Sequence, residues 1–442
     1  ALAVFALAMT AAPLATLALL QAALTAIFLA STGLRLFGAM RSVAEPPALR
    51  VPSDAFLPRY TVVAALYDEV EALPGLIEAL KALDYPAEKL DVKLVLEADD
   101  AWTQLAAEVL KLPSSFEILI APATGPRTKP KALNCALPFA RGDLVVVYDA
   151  EDRPDPDQLR RAAAAFAADR GGKLACVQAR LTIDNTDDSW LTRLFTAEYA
   201  GLFDVLLPGL ASLRLPIPLG GSSNHFRASV LRAVGGWDPY NVTEDADLGA
   251  RLARFGYRST VIDSTTYEEA PTSLRPWLRQ QTRWFKGWMQ TLIVHMREPR
   301  RLWRELGPGG FAAFHLIVGG AVVAALIQPI ALVWIAGAWL AGAPIVPAEA
   351  APHLLALGWM HLVALAGGYA VSAVLGLVGL KRRRLLSAAG ALAAVPILWV
   401  LLSVAAWRAV FQLLRQPQLW EKTAHGRART SRRGRAQQGG HK

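Results

Sequence analysis

Cysteine is nearly absent from this chain: Cys135 and Cys176 are the only two among 442 residues. Two cysteines in a polar middle region cannot build a disulfide framework, and they lack metal-ligand spacing, so a reduced cytosolic setting fits. The seven histidines are scattered, which excludes an ordinary zinc site. Charge is also scarce, at 19% of residues, and it gathers in the middle and at the extreme C-terminal end. No basic stretch precedes the first apolar run, so a cleaved signal peptide fits poorly. Residues 341–353, AGAPIVPAEAAPH, contain no Lys or Arg, which places them on the outer side of a membrane. The chain opens at Ala1, not Met, so a natural N-terminus further upstream is expected.

What is present is apolar and basic together. Hydrophobic residues make up 53% of the chain, and the formal net charge is +9. That combination suits a membrane protein with cytoplasmic charge, and no nucleic-acid partner is expected. Residues 1–40 read as N-terminal transmembrane helices, a truncated one ending near Pro13 and a full one over 14–36. Arg35, Arg41 and Arg50 put the end of the second helix in the cytoplasm. Residues 41–58 are a Pro-rich linker and 59–272 a soluble domain. Residues 273–308 are amphipathic and interfacial, 309–415 a C-terminal transmembrane region, and 416–442 a basic cytosolic tail. Within the C-terminal apolar region, 311–341 is one long span or an interfacial turn plus a span, kinked at Pro329, and 354–380 returns to LKRRR (380–384). For the tail to stay cytoplasmic, 385–414 must be a hairpin turning near Pro396 or a re-entrant segment.

The soluble region alternates short apolar runs with helical patterns. Strands are expected over 61–69, 92–100, 115–122 and 143–152, with helices over 74–86 and from 129. A short strand follows within 216–238, and a carboxylate-led helix lies in 242–263. Such alternation implies a largely parallel sheet covered on both faces, with ligands beyond the carboxyl ends of its strands. Those ends carry Asp68 and Glu69, then Asp99 and Asp100, then Asp149, Glu151 and Asp152.

Residues 273–297, SLRPWLRQQTRWFKGWMQTLIVHMR, hold Gln280, Arg283 and Trp284 in the order Q-x-x-R-W. A helix with an aromatic side and a cationic side suits a membrane surface. It equally suits a floor for a sugar ring and a diphosphate. Moving a sugar off a nucleotide diphosphate needs a neutralised leaving group, a base for the acceptor hydroxyl, and aligned reactants. Asp149 and Glu151, with Asp152 beside them, are candidates for Mg2+ or Mn2+. Thr243, Glu244 and Asp245 offer a base at a helix start. Lys129 and Lys131 either approach phosphates or sit on a solvated helix end.

Taken in order, the set resembles the processive family 2 glycosyltransferases, the cellulose-synthase-like membrane enzymes. The resemblance rests on YDE (67–69), the carboxylates at 97–100, KPKALN (129–134), DAED (149–152), TED (243–245) and QQTRW (280–284). It implies an α/β GT-A (Rossmann-like) domain inserted between transmembrane α-helices. It implies donor contacts from Tyr67, Glu69 and Asp99, with Glu97 or Asp100 as alternatives for the last. Lys131, Asn134, Asp149, Gln280 and Arg283 would complete the donor site, and either Glu151 or Asp152 would share the metal with Asp149. Asp245 would be the general base with Glu244 beside it, and Trp284, Ser222 and Asn224 would line the acceptor site. The implied reaction is inverting polymerisation of a nucleotide sugar, UDP-glucose by default, into a β-glucan, with non-processive transfer to a polyprenyl phosphate and a non-catalytic membrane scaffold or transporter as the alternatives. The product would leave through the protein's own channel, with export subunits as partners, from an inner-membrane location.

Overall fold

The computed structural model describes residues 8–42, 49–346 and 351–421. Parts of the expected first helix and linker, and the tail from residue 422, lie outside the described residues. Helix α1 spans Pro13–Arg41, with proline in its first turn and Arg41 in its last. Its 29 residues extend about 44 Å, more than a bilayer's apolar core requires.

The sheet domain is built on eight strands: β1 (Tyr60–Leu66), β2 (Leu90–Glu97), β3 (Phe116–Ala121), β4 (Leu144–Tyr148), β5 (Arg153–Pro154), β6 (Leu174–Ile183), β7 (Asn224–Arg227) and β8 (Arg258–Glu268). They form one sheet in the order β3-β2-β1-β4-β7-β6-β8-β5. β1 pairs in parallel with both β2 and β4, starting at Tyr60 opposite Leu90 and Leu144. Its side chains alternate between faces: Val62 and Ala64 enter one buried core, Val63 the other. Both faces are therefore covered, as the continuous apolar runs require. The sheet is largely parallel but mixed: β7 runs antiparallel to both β4 and β6, and β5 to β8.

Packed on the sheet are α2 (Leu73–Lys81), α3 (Ala101–Val109), α4 (Lys129–Ala136), α5 (Gln158–Ala168), α6 (Trp190–Gly201) and α7 (Glu244–Arg254). Then follow α8 (Leu274–His295), α9 (Pro299–Phe314), α10 (Gly320–Leu340), α11 (Pro352–Arg382) and α12 (Val395–Arg415). Among the described residues, five helical stretches are long and apolar enough to cross a membrane: Ala15–Arg41, Trp190–Ser212, Pro299–Leu340, Pro352–Arg382 and Leu386–Arg415. Trp190–Ser212 differs from the rest, being 78% buried inside the protein over its most apolar window. It begins with a reciprocal capping box between Ser189 and Thr192 and is wedged between the sheet and α11.

That wedge is a glycine seam. A Cβ on Gly379 would sit 2.3 Å from the carbonyl carbon of Ala200, and one on Gly201 would sit 3.0 Å from that of Leu375. The two main chains touch, which only a residue without a side chain permits. At the end of the seam, Arg383 binds the Asp204 carboxylate and the Thr182 hydroxyl, while Arg382 donates to the Ser42 hydroxyl at 2.9 Å. Two arginines thus tie the foot of α11 to β6, α1 and the α6 extension.

The 385–415 segment is a 3-10 helix (Leu386–Ala394) followed by α12. Pro396 is not a hairpin turn; it sits in the first turn of α12, where a proline fits. Near its start α12 packs Val395 and Leu398 on Trp277. Further along, Ala405, Ala406 and Ala409 meet Phe285 and Met289. Just past its end, the Pro417 carbonyl accepts from Gln290 at 3.0 Å. The helix lies along α8.

Candidate active site

A cavity of about 900 Å³ opens at the carboxyl ends of β1, β2 and β4 and continues between the apolar helices. Tyr67, Glu69, Asp149, Glu151, Ser222, Glu244, Asp245, Gln280, Arg283 and Trp284 all line it. The polar and apolar halves of the chain therefore share one space.

The turn after β1 sets the outer wall. Asp68 adopts φ 53, a left-handed conformation that aspartate tolerates. Its N–H donates to Asp100 at 2.6 Å, and Asp100 also caps α3 through the Thr103 N–H at 3.2 Å. Asp100 is thereby committed to holding the turn. Asp99 is ion-paired with Arg127, whose guanidinium also donates to the Tyr67 hydroxyl at 3.3 Å and lies 5.7 Å from that ring's centre. Arg127 lines the cavity and was invisible to the motif reading. Only the fold sets it against Asp99. Glu97 reaches the wall but is neutralised by Lys131 at 2.7 Å.

Lys131 is buried on that partner and on the Pro122 carbonyl at 2.8 Å, set back from the cavity. Asn134 is set back too. Its amide donates to the Trp237 carbonyl at 2.6 Å and its oxygen accepts the Trp237 N–H at 3.0 Å. The lysine that does reach the wall is Lys129, ion-paired with Asp149 and donating to the Gly221 carbonyl at 2.6 Å. Burial depresses its pKa, but Asp149 and Glu244 more than offset this and the net shift is upward.

After β4, Asp149 and Glu151 face the cavity while Asp152 lies fully buried behind them. Asp152 accepts the Asp149 N–H at 2.7 Å and the Ser222 hydroxyl. Burial, followed by the charges of Asp149 and Glu151, pushes its carboxyl well above the usual range. Ser222 touches the cavity with its hydroxyl already engaged. Asn224 is buried, holding the Gly220 carbonyl instead of facing the cavity. Among the described residues no three metal-binding side chains converge as a closed cage. Asp149 and Glu151 are hard oxygen donors on an open wall, and Mg2+ is commonly held by one or two carboxylates plus substrate phosphates. The donor set fits such an ion.

Glu244 and Asp245 open α7. Asp245 accepts the Ala246 N–H at 2.7 Å. Burial raises its pKa to about 6, against the opposing pull of that bond and of Lys129 and Arg283. Burial and the Asp245 charge raise Glu244 to about 7. Two carboxylates poised near neutrality at a helix start suit general-base work. The turn before them is docked on α8: Asn241 donates to the Thr291 hydroxyl and the Val242 N–H reaches Gln290, at 2.9 and 3.2 Å. A Cβ on Gly287 would sit 2.2 Å from the Thr243 hydroxyl oxygen. Gly287 therefore lets the Q-x-x-R-W helix lie directly on the T-E-D turn.

From α8, Trp284 stacks on Phe195 and Tyr199, with ring centres 5.9 and 6.4 Å apart and planes within 26° and 29°. Arg283 lies 4.5 Å from the centre of the Trp420 ring, a residue to which the sequence assigned no role. Lys286 turns away from the cavity to the Leu419 carbonyl at 2.6 Å, and burial lowers its pKa to about 8. Asp152 Oδ1, Gln280 Oε1 and Arg283 Nε are buried without a hydrogen-bond partner among the described residues. Buried polar atoms are normally satisfied, and these three lie on or just behind one cavity wall. The arrangement can hold an anionic group between Lys129 and Arg283, and can take a proton at Asp245.

A family model described as glycosyl transferase family group 2 matches residues 144–411, and one described as glycosyl transferase family 2 matches residues 61–224. A probable glycosyltransferase, YdaM, of Bacillus subtilis is 24% identical over 56% of this chain and 60% of its own length. A beta-monoglucosyldiacylglycerol synthase of Synechocystis is 27% identical over 60% of this chain and 55% of its own length. The chain thus spans three-fifths or less of these two relatives. Among solved structures, the mannosyltransferase PcManGT from Pyrobaculum calidifontis, in complex with GDP-Man and Mn2+, covers 90% of this chain and 99% of its own, with 20% identity and a TM-score of 0.55. That likeness is one of fold, and it agrees with the GT-A architecture seen here. The first model spans more than half of the chain, and the chain belongs to glycosyl transferase family group 2.

Proposed function

We propose that the protein transfers a hexosyl group, with inversion, from a nucleoside diphosphate sugar to a hydroxyl of an acceptor that enters from the membrane. The observation that carries this reading is the continuity of the cavity. The space that holds Asp149 and Asp245 also reaches Phe28, Val371 and Trp399 between the apolar helices. An acceptor with an apolar tail fits that space, its head at Asp245 and its tail among the helices. A monoglucosyldiacylglycerol synthase among the relatives supports a lipid acceptor.

In this reading Asp245 accepts the proton of the acceptor hydroxyl. The oxygen attacks the sugar's anomeric carbon from the face opposite the diphosphate, and the bond from that carbon to the diphosphate oxygen breaks. Arg283 and Lys129 face the charge that develops on the leaving group. Asp149 and Glu151 would hold a divalent cation, Mg2+ or Mn2+, which when bound supplies further positive charge there. Tyr67, Glu69 and the Asp99–Arg127 pair would hold the base and ribose. UDP-glucose is the first donor to test, followed by GDP-mannose. Arg41 and Arg382, at helix ends on the domain's side, support a cytoplasmic domain in an inner-membrane enzyme.

A second reading, processive synthesis of a β-glucan with export partners, draws support from Trp284. It presents a flat ring on the cavity wall in Q-x-x-R-W order, a platform for a polymer end. Incubating membranes with labelled UDP-glucose separates the two. A chloroform-soluble single-sugar product supports the lipid acceptor, and an ethanol-insoluble polymer without it refutes that acceptor.

A further inference from the structure

A row of cations at the start of α9 has no part in the reaction as described. Gly307, with φ 66 and ψ 174, breaks α9 into an arm, 299–306, and the start of the apolar stretch that runs to Leu340. One side of the arm holds Leu302, fully buried against Ala250 of α7 and against Phe314 and Val318. Arg254 of α7 clamps the arm further. It donates to Glu305 at 2.5 Å and to His295 at 3.0 Å, and His295 donates to Asp247 at 2.9 Å. The opposite side carries Arg300 and Arg304, one turn apart, with Trp303 beside them and Arg297 just before the helix. All four are exposed. Trp303 is 49% exposed, and its ring centre lies 5.1 Å from that of Phe311, in the first turn after the break. An indole packed there stands at the edge of the apolar layer, at headgroup level. The two nearby carboxylates do not neutralise the row: Glu298 and Glu305 both pair with Arg301, at 3.4 and 2.7 Å. Arg297, Arg300 and Arg304 have no carboxylate partner among the described residues.

We infer that Arg297, Arg300 and Arg304 form a docking surface for the headgroups of anionic phospholipids, and that the docked arm steadies α7. The partner follows from charge and place. Arginines directly before an apolar span, around an exposed tryptophan, meet the phosphate layer, and a net negative surface attracts them where a zwitterionic one does not. The planar guanidinium also matches phosphate oxygens in pairs. Because α9 grips α7 through Leu302 and Glu305, an arm pinned to the membrane surface resists opening of the helix that begins with Glu244 and Asp245. None of the three arginines lines the catalytic cavity, so the surface does not depend on the nature of the acceptor.

The test measures amide hydrogen exchange of the purified full chain in two kinds of nanodisc, phosphatidylcholine alone and phosphatidylcholine mixed with phosphatidylglycerol. Each arginine near an anionic surface is worth about fivefold in binding. Exchange over 297–306 should therefore slow about tenfold or more in the mixed discs, and exchange over 244–254 should slow with it. Salt at about 1 M should remove the difference. The triple variant Arg297→Gln, Arg300→Gln, Arg304→Gln should lose the difference while exchanging like the wild type in phosphatidylcholine, since glutamine keeps the helix. A charge-matched variant, Lys81→Gln, Lys111→Gln, Arg170→Gln, removes exposed cations at or just past the ends of α2, α3 and α5 and should keep the difference. Equal exchange in the two discs overturns the inference. So does slowing that survives in the first variant, or that is lost equally in the charge-matched one. Slowing produced by glycerol phosphate added to phosphatidylcholine discs marks a site for soluble anions and overturns the lipid. Slowing confined to 297–306 leaves the docking surface standing and overturns the steadying of α7.

Discussion

Replacing Asp245 with asparagine should abolish transfer and stabilise the fold. Burial holds the Asp245 carboxyl at about 6, raised from 3.8. A shift of that size corresponds to roughly 3 kcal/mol of penalty for the charged form. Three corrections apply. The side chain is partly exposed to the cavity, where water screens the charge. Asparagine removes the repulsion on Glu244 but deprives Lys129 and Arg283 of a counter-charge. The net gain should be about 1–3 kcal/mol at neutral pH. Asparagine's oxygen can still accept the Ala246 N–H, so α7 keeps its start. The sign follows from proton counting. Between the unfolded pKa and about 6 the native state binds more protons, so wild-type stability falls as pH rises through that window. The asparagine variant does not titrate there. Its advantage should be full above about pH 7 and gone near pH 4. Thermal unfolding in detergent at the two pH values reads this as a rise of several degrees that disappears in acid. Transfer should fall about 10²- to 10⁴-fold, the usual contribution of a general base. A variant that loses activity and stability together would refute the reasoning, and so would a stability gain that persists in acid.

Three further outcomes are expected. Lys131→Met should cost about 3–5 kcal/mol by leaving Glu97 buried and unpaired, with the KM for nucleotide sugar unchanged; a raised KM at wild-type stability would return Lys131 to the phosphate site. Trp284→Ala should impair transfer to the acceptor more than donor binding measured by calorimetry, and equal losses would mark Trp284 as structural. Chelation with EDTA should stop transfer and added Mg2+ or Mn2+ restore it; full turnover in the chelator would remove Asp149 and Glu151 from the proposed role.

Much of the sheet was legible because β1, β2 and β4 are apolar runs closed by carboxylates, and parallel pairing sets those closures side by side. β8 was not. Its sequence, RSTVIDSTTYE, carries Ser264 and Thr266, which look like surface residues. Both are buried, satisfied by the Gln158 amide at 3.2 and 3.0 Å, and nothing local announces that partner. In the site, motif order correctly brought DAED, TED and Q-x-x-R-W into one cavity. It could not separate residues that face the cavity from those that prop it up. Lys131 and Asn134 share a helix with Lys129, and only the backbone's direction decides that Lys129 alone reaches the wall. Arg127 and Trp420 escaped for the same reason: each depends on a neighbour far away in sequence.

The contact between Gly201, Gly379 and their opposing main chains carries a consequence for substrate choice. Backbones in direct contact leave no play for the catalytic domain to ride up or down on its membrane helices. If Asp245 is the base and the acceptor comes from the membrane, as proposed, the height of Asp245 above the bilayer is a fixed dimension of the protein. A hydroxyl attached close to its tail would then stay too deep to be deprotonated, and one on a long head would overshoot. Acceptors would be sorted by how far their reactive oxygen stands from the membrane before any of their chemistry is read.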